Sequence, residues 1–265
     1  MPPLEQQERV SRALNALHHR VESEKTKAQT LAEAKSALGE LLLSGRVAVR
    51  TTPGPLILNF STGGTGPMEG RVAHIAKVKP PLGALNMGSM NYAKYSPRRK
   101  EFVFDFVFEN PFRDIAYLLA VMKEAGVKPE LECFDIGYTN SVWPLLDQGL
   151  LKRPLQFSFI MGVLRGIRAS AENLAMQARE APEGSTWEVI GISPEQWRMI
   201  GSALALGGNV RVGLEDNFYL DAAGSKMARS NGELVEKAVR MARDIGREPA
   251  TVEQARRLLT LDAPW

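Results

Sequence analysis

From Pro55 to the C-terminus, short apolar or β-branched runs alternate with longer stretches of helical period, and this alternation restricts the fold more than any other feature. The runs are "LILNFS" (56–61), "LGALNMG" (82–88), "ELECFD" (130–135), "LQFSFIMG" (155–162), "TWEVIGI" (186–192) and "NVRVGLED" (209–216). Helical patterns lie near 67–77, 112–125, 139–150, 170–180, 194–206, 231–245 and 251–260. Strands separated by helices of this length pair in parallel, with the helices packed outside the sheet. The expectation is an α/β fold, a TIM (β/α)8 barrel with six clear βα units over 55–265, belonging to one domain of 1–265. Helix starts are expected at Ser193-Pro194 and at Thr251.

Residues 1–50 read differently. Val10, Leu14, Leu17 and Val21 form one helical stripe, and Leu31, Ala34, Leu38 and Leu41 a second. A helical segment is therefore expected where the two leading βα units of an eight-fold barrel belong.

Composition narrows the partners. The net charge is +3, with 44% apolar and 24% charged residues, so neither nucleic acid nor a membrane surface is an expected partner. A single cysteine, Cys133, rules out an internal disulfide and fits a reducing compartment. No apolar run is long enough to span a bilayer, and "MPPLEQQERV" has no secretory core, so a cytoplasmic location is the expectation.

Parallel α/β folds bind ligands at the carboxyl ends of their strands. There the first run ends in "NFSTGGTG", where Ser61 and Thr62 offer hydroxyls and Gly63, Gly64 and Gly66 allow a close backbone approach to an anion; a plain chain-reversing turn uses the same residues. The second run ends in "NMGSMN", with Asn86 and Ser89 at its tip. Alternation puts Glu130 and Glu132 on one strand face, and a carboxylate inside a buried strand is costly unless paired. In the last run Arg211, Gly213 and Glu215 share a face, with Asp216 beyond them. Glu215 suits a metal ligand, Asp216 a base and Arg211 a carboxylate clamp partnered by Glu132; an internal salt bridge is the alternative. His18 and His19 diverge around a helix and do not favour a shared ion, and His74 reads as structural.

Taken in order, "STGGTG", "LNMGSMN", "KPELECFDIG", "GLLKRPLQFSFIMGVLRGI", "TWEVIGI", "ALALGGNVRVGLEDN" and "SNGELVEKAVRMARDIGREPAT" resemble the β-keto acid cleavage enzymes, from about Leu56 to the end. That resemblance implies a zinc-dependent barrel that reacts a β-keto acid with acetyl-CoA to give acetoacetate and a new CoA thioester. It implies Glu215 as zinc ligand and Asp216 as the group that deprotonates the substrate. Arg211 and Glu132 would be polar supports, and Ser61 with the Gly63–Gly64 turn a cradle for the substrate carboxylate. It includes the insertion "YAKYSPRRKEFVFDFVFENPF", whose Lys94, Arg98, Arg99 and Lys100 read as a solvated basic loop, with contact to CoA phosphates the alternative. Relatives of this kind form tetramers, so a homo-oligomer is compatible with it. The chain departs from the family pattern in having no His-x-His pair, which leaves the implied zinc site incomplete, and in placing Tyr138 where relatives often have histidine. The alternative expectation is a truncated, catalytically impaired relative or a non-catalytic carboxylate- and CoA-binding module.

Overall fold

The computed structural model describes residues 56–265; the helices expected over 1–50, with His18 and His19, lie outside the described residues. The described chain runs β1 (Asn59–Ser61), α1 (Met68–Val78), β2 (Leu82–Asn86), β3 (Met90–Ser96), β4 (Glu101–Phe108), α2 (Phe112–Ala125) and β5 (Lys128–Cys133). It continues with α3 (Ile136–Asn140), α4 (Val142–Asp147), β6 (Gln156–Met161), α5 (Ala171–Glu180), β7 (Thr186–Gly191), α6 (Gln196–Ala205), β8 (Asn209–Arg211), α7 (Asn231–Asp244) and α8 (Val252–Leu258). Six strands pair in parallel in the order β1-β2-β5-β6-β7-β8, the six expected units.

Local chemistry explains the boundaries. Helix α2 has Asp114 in its first turn and Lys123 in its last, which suits the helix dipole, and it stops at Gly126 in the left-handed conformation (φ 71°). Thr251 caps α8 with a reciprocal Gln254 contact, as its sequence position predicts. Ser193-Pro194 behaves otherwise. It forms a 3-10 turn over Ser193–Glu195 that leads into α6, and its serine makes no side-chain cap. The helix expected over 139–150 is split into α3 and α4, with Asp135 rather than a residue near 139 capping the first.

The two faces of the sheet differ in kind. Outward residues Leu85, Leu131, Cys133, Phe157, Phe159 and Val189 pack with Ile75, Leu118, Met122, Leu174 and Met199 of the covering helices into the main core. The inward face carries Asn86, Glu130, Glu132, Gln156, Ser158 and Glu188. In register, Asn86 lies beside Glu132, Glu132 beside Ser158, and Ser158 beside Glu188. Period-two alternation thus puts the hydrophobic driving force outside and the chemistry inside. A smaller cluster joins α6 to α7 through Trp197, Ile200, Leu204, Leu234 and Ala238.

Residues 90–108, read from sequence as a loop insertion, form an antiparallel hairpin of β3 and β4. Arg98, Arg99 and Lys100 sit at its tip, Lys94 lies within β3 opposite Phe104, and Tyr92 stacks on Phe104 at 5.5 Å between ring centroids. The aromatic and β-branched run "FVFDFVF" is the signal for a strand, although its Phe102, Val103 and Val107 are exposed.

Close packing at one glycine yields a test. A Cβ on Gly191 would stand 2.4 Å from Gln196 Cα and 3.0 Å from Gln196 N, both backbone atoms. Gly191→Ala is therefore expected to force α6 away from β7 and cost about 2–3 kcal/mol, measured by urea unfolding.

Candidate active site

The cleft at the carboxyl end of β8 has a volume of about 460 Å³ and is lined by Asn59, Ser61, Ala84, the segment 211–216 and Asn231. Because Asn59 and Ser61 belong to β1 and Arg211 to β8, both edges of the described sheet curl around to face the same space. Asn59 Nδ2 also donates to Glu130 Oε2 at 2.7 Å, a bond from β1 to β5 that passes over β2.

Arg211 is the central cation. Its Nη2 lies 2.7 Å from Glu215 Oε1 and 3.3 Å from Asp216 Oδ2. The strand stops at Arg211, earlier than the expected Asp216, because 213–217 turns back on itself. Asp216 and Asn217 both donate their N–H to the Gly213 carbonyl at 3.0 Å. Glu215 consequently leaves the inward face and its side chain is 75% exposed, whereas that of Asp216 is 9% exposed. Burial raises the Asp216 pKa, against the pull of Arg211. Burial also works against the Arg211 cation, but Asp216, Glu132, Glu215 and Glu188 outweigh it and raise its pKa.

Glu132 does not clamp Arg211 directly. Its Oε2 accepts from Asn86 Nδ2 at 2.8 Å, and the ion pairs of Arg211 among the described residues are those with Glu215 and Asp216. Glu132 is almost fully buried, and burial, with the charge of Glu130, pushes its pKa up to about 7, with Arg211 pulling the other way. The influence of Arg211 on Glu132 is one of charge across the interior, with no shared hydrogen bond.

Ser61 lines the cleft, its Oγ accepting from Gly63 N at 3.0 Å. Other expected contact residues have different work. Thr62 is fully buried and donates its hydroxyl to the Ala84 carbonyl at 2.8 Å, which ties β1 to β2. Ser89 Oγ accepts from Asn110 N at 2.7 Å, and Asn110 Nδ2 donates to the Asn86 carbonyl at 2.6 Å, so Asn86 and Ser89 anchor the base of the hairpin. Gly64 lines a separate hollow of about 280 Å³ with Thr65, Gly66, Arg71 and Phe108. The Arg71 guanidinium there is held by the Thr62 carbonyl and Asn110 Oδ1. His74 Nε2 donates to the Ser61 carbonyl at 2.9 Å, which ties α1 to the end of β1.

Residues not singled out as site groups are Asn59, Asn231, Ser158 and Glu188. Asn231 Oδ1 accepts from Leu214 N at 2.8 Å and so fixes the rim. A usable signal for Glu188 existed: a carboxylate at an interior position of an apolar run.

Among the described residues no group of three or more His, Cys, Asp or Glu is placed to hold a metal ion. Glu215 and Asp216 are both engaged by Arg211, and three protein ligands are the usual minimum for zinc. The described residues do not by themselves fit the implied zinc. No helix among them is long and apolar enough to cross a membrane.

A parallel, helix-covered sheet with an ionised cleft at its carboxyl ends places this chain among the (β/α)-barrel proteins. In fold it is similar to the solved apo structure of ObcA, with a TM-score of 0.60 at 18% identity, over 80% of this chain and 52% of that one. The binary complex of ObcA with oxaloacetate gives 0.58 at 19% identity, over 77% and 52%. The chain spans about half the length of these solved structures. The chain belongs to the beta-keto acid cleavage enzyme family, whose sequence pattern matches residues 15–261. It is 37% identical to the 3-keto-5-aminohexanoate cleavage enzyme of Fusobacterium nucleatum, over 81% of this chain and 74% of that protein. It is 34% identical to the 3-oxoadipate:acetyl-CoA acetyltransferase of Cupriavidus necator, over 79% and 73%.

Proposed function

We propose that this chain cleaves a β-keto acid with acetyl-CoA, giving acetoacetate and the CoA thioester of the remaining acyl group. Family membership and the acetyl-CoA-dependent activities in its relatives' names support the reading. Atom balance then sets the work. Acetoacetate takes the acetyl group together with carbons 1 and 2 of the keto acid. A bond forms between carbon 2 and the thioester carbonyl carbon as the bond from that carbon to sulfur breaks; the freed CoA thiolate adds to carbon 3, the bond between carbons 2 and 3 breaks, and the proton first removed returns to carbon 2.

Carbon 2 must lose a proton before it attacks, and Asp216 is the base. The observation that carries this is its placement: a largely buried carboxylate 3.3 Å from the Arg211 guanidinium, in a cleft whose opposite wall holds Ser61. Burial raises the basicity of Asp216, and Arg211 stabilises the negative charge that develops once the proton moves. Ser61 binds the substrate carboxylate, its hydroxyl held in place by the Gly63 N–H. Glu132 orients Asn86 and tunes Arg211 through space. Glu215 secures the outer side of the guanidinium.

A second reading, a binding module without turnover, draws on the lack of a metal-holding group among the described residues. The test incubates purified protein with acetyl-CoA and a panel including 3-oxoadipate and 3-keto-5-aminohexanoate. Acetoacetate and a new CoA thioester in equal amounts are expected. Bound acetyl-CoA with no acetoacetate from any keto acid overturns the proposal in favour of the module.

A further inference from the structure

Below the cleft, the inward face concentrates carboxyl groups that the proposed reaction leaves unused. Glu130 on β5 is 3% exposed. Its Oε2 accepts from Asn59, but its buried Oε1 receives no hydrogen bond. A carboxylate oxygen in that position is costly, whereas a carboxylic acid O–H there is satisfied by donating. An acceptor lies close by: Ser158 on β6 is the diagonal neighbour of Glu130 on the same inward face, two residues beyond its register partner Gln156. Its own hydrogen is already committed, since Ser158 Oγ donates to Glu188 Oε1 on β7 at 3.0 Å. One hydroxyl carries one hydrogen, so a Ser158 that serves Glu188 meets Glu130 as an acceptor.

We propose that Glu130, Ser158 and Glu188 form a proton-holding chain, in which the Glu130 acid donates to Ser158 and Ser158 to the Glu188 carboxylate, and that this chain positions Asn59 in the wall of the cleft. The direction of the bonds matters. With Oε1 acting as donor, Oε2 is the carbonyl oxygen that accepts from Asn59 Nδ2, which leaves the Asn59 amide oxygen free for the cleft. Glu130 and Glu188 are thus positioning residues for the reaction proposed above, on which this role rests.

Charge favours one retained proton. The charged groups facing the chain are Glu132 on β5 and Arg211 on β8, with Asp216 and Glu215 beyond the arginine; among these described groups, one cation faces several acids. Burial raises the pKa of Glu130 and of Glu188 above the ordinary value of 4.5. The folded protein then holds protons that the unfolded chain releases. That stabilisation is complete below the unfolded value and is lost as pH rises through the folded values.

Three measurements on the full chain test the proposal, and two need no substrate. Infrared spectra of the wild type at pH 7 should contain a protonated-carboxyl band that persists in Glu132→Gln and loses intensity in Glu130→Gln. Unfolding in urea from pH 5 to 9 should show a decline with rising pH that is flatter in Glu130→Gln, whose amide supplies the same donor and acceptor. Glu130→Ala should lose stability at every pH and raise KM for the keto acid by about tenfold, with a smaller change in kcat. Absence of the infrared band in the wild type overturns the proposal even if the variants fail to fold, and so does an unchanged pH slope in Glu130→Gln. If the wild type shows no turnover, the reaction assignment fails, while the band and the slope still decide whether the chain holds its proton.

Discussion

Asp216→Asn is expected to keep its fold and lose turnover by about 10²–10⁴-fold, the usual contribution of a positioned base. Asparagine is nearly isosteric with aspartate and its amide oxygen can still accept from Arg211, so the turn closed by Gly213 is kept. It has no lone pair basic enough to take a proton from carbon. The measurement is kcat for acetoacetate formation beside a urea unfolding curve. A rate within threefold of the wild type would move the base elsewhere, with Glu132, whose pKa burial pushes up to about 7, the next candidate.

Arg211→Ala is expected to damage both stability and activity. It removes the ion pairs to Glu215 and Asp216. The exposed Glu215 simply returns to water, so its share is small. Asp216, with a side chain 9% exposed, is left as an uncompensated charge, and Glu132 loses the cation that holds its pKa down. The expected cost is about 2–4 kcal/mol at pH 8. The sign of the pH effect follows from linkage. Without the arginine the folded pKa values of Asp216 and Glu132 rise further, so the variant loses stability as pH rises and recovers part of it near pH 5. Urea unfolding at the two pH values measures this, and equal losses at both would show that packing of the arginine stem, not charge, is what it supplies.

The contrast between these two residues and Glu132 shows how far sequence reasoning reached. The carboxylates and the arginine were identifiable because charged groups in apolar strand runs are expensive and need a reason. Their pairing was not. Glu132 and Arg211 are on β5 and β8, and which cation a buried acid meets depends on sheet curvature and register. Here Asn86, next to Glu132 in register, takes the hydrogen bond. Thr62 and Ser89 were legible as polar residues at strand ends, but a hydroxyl that faces the cleft and one that ties two backbones together look alike in a sequence.

Period and punctuation in the sequence determined the parallel α/β order, the six-unit sheet, the span of α2 and the cap at Thr251, because these depend on neighbours within a few residues. Tertiary structure alone decided that β8 ends at Arg211, that Glu215 faces solvent while Asp216 is buried, and that Asn59 reaches Glu130 over an intervening strand. Those outcomes are set by a turn's closing hydrogen bonds and by the curl of the sheet, which join residues as far apart in sequence as 59 and 130, and no local pattern encodes distances of that kind.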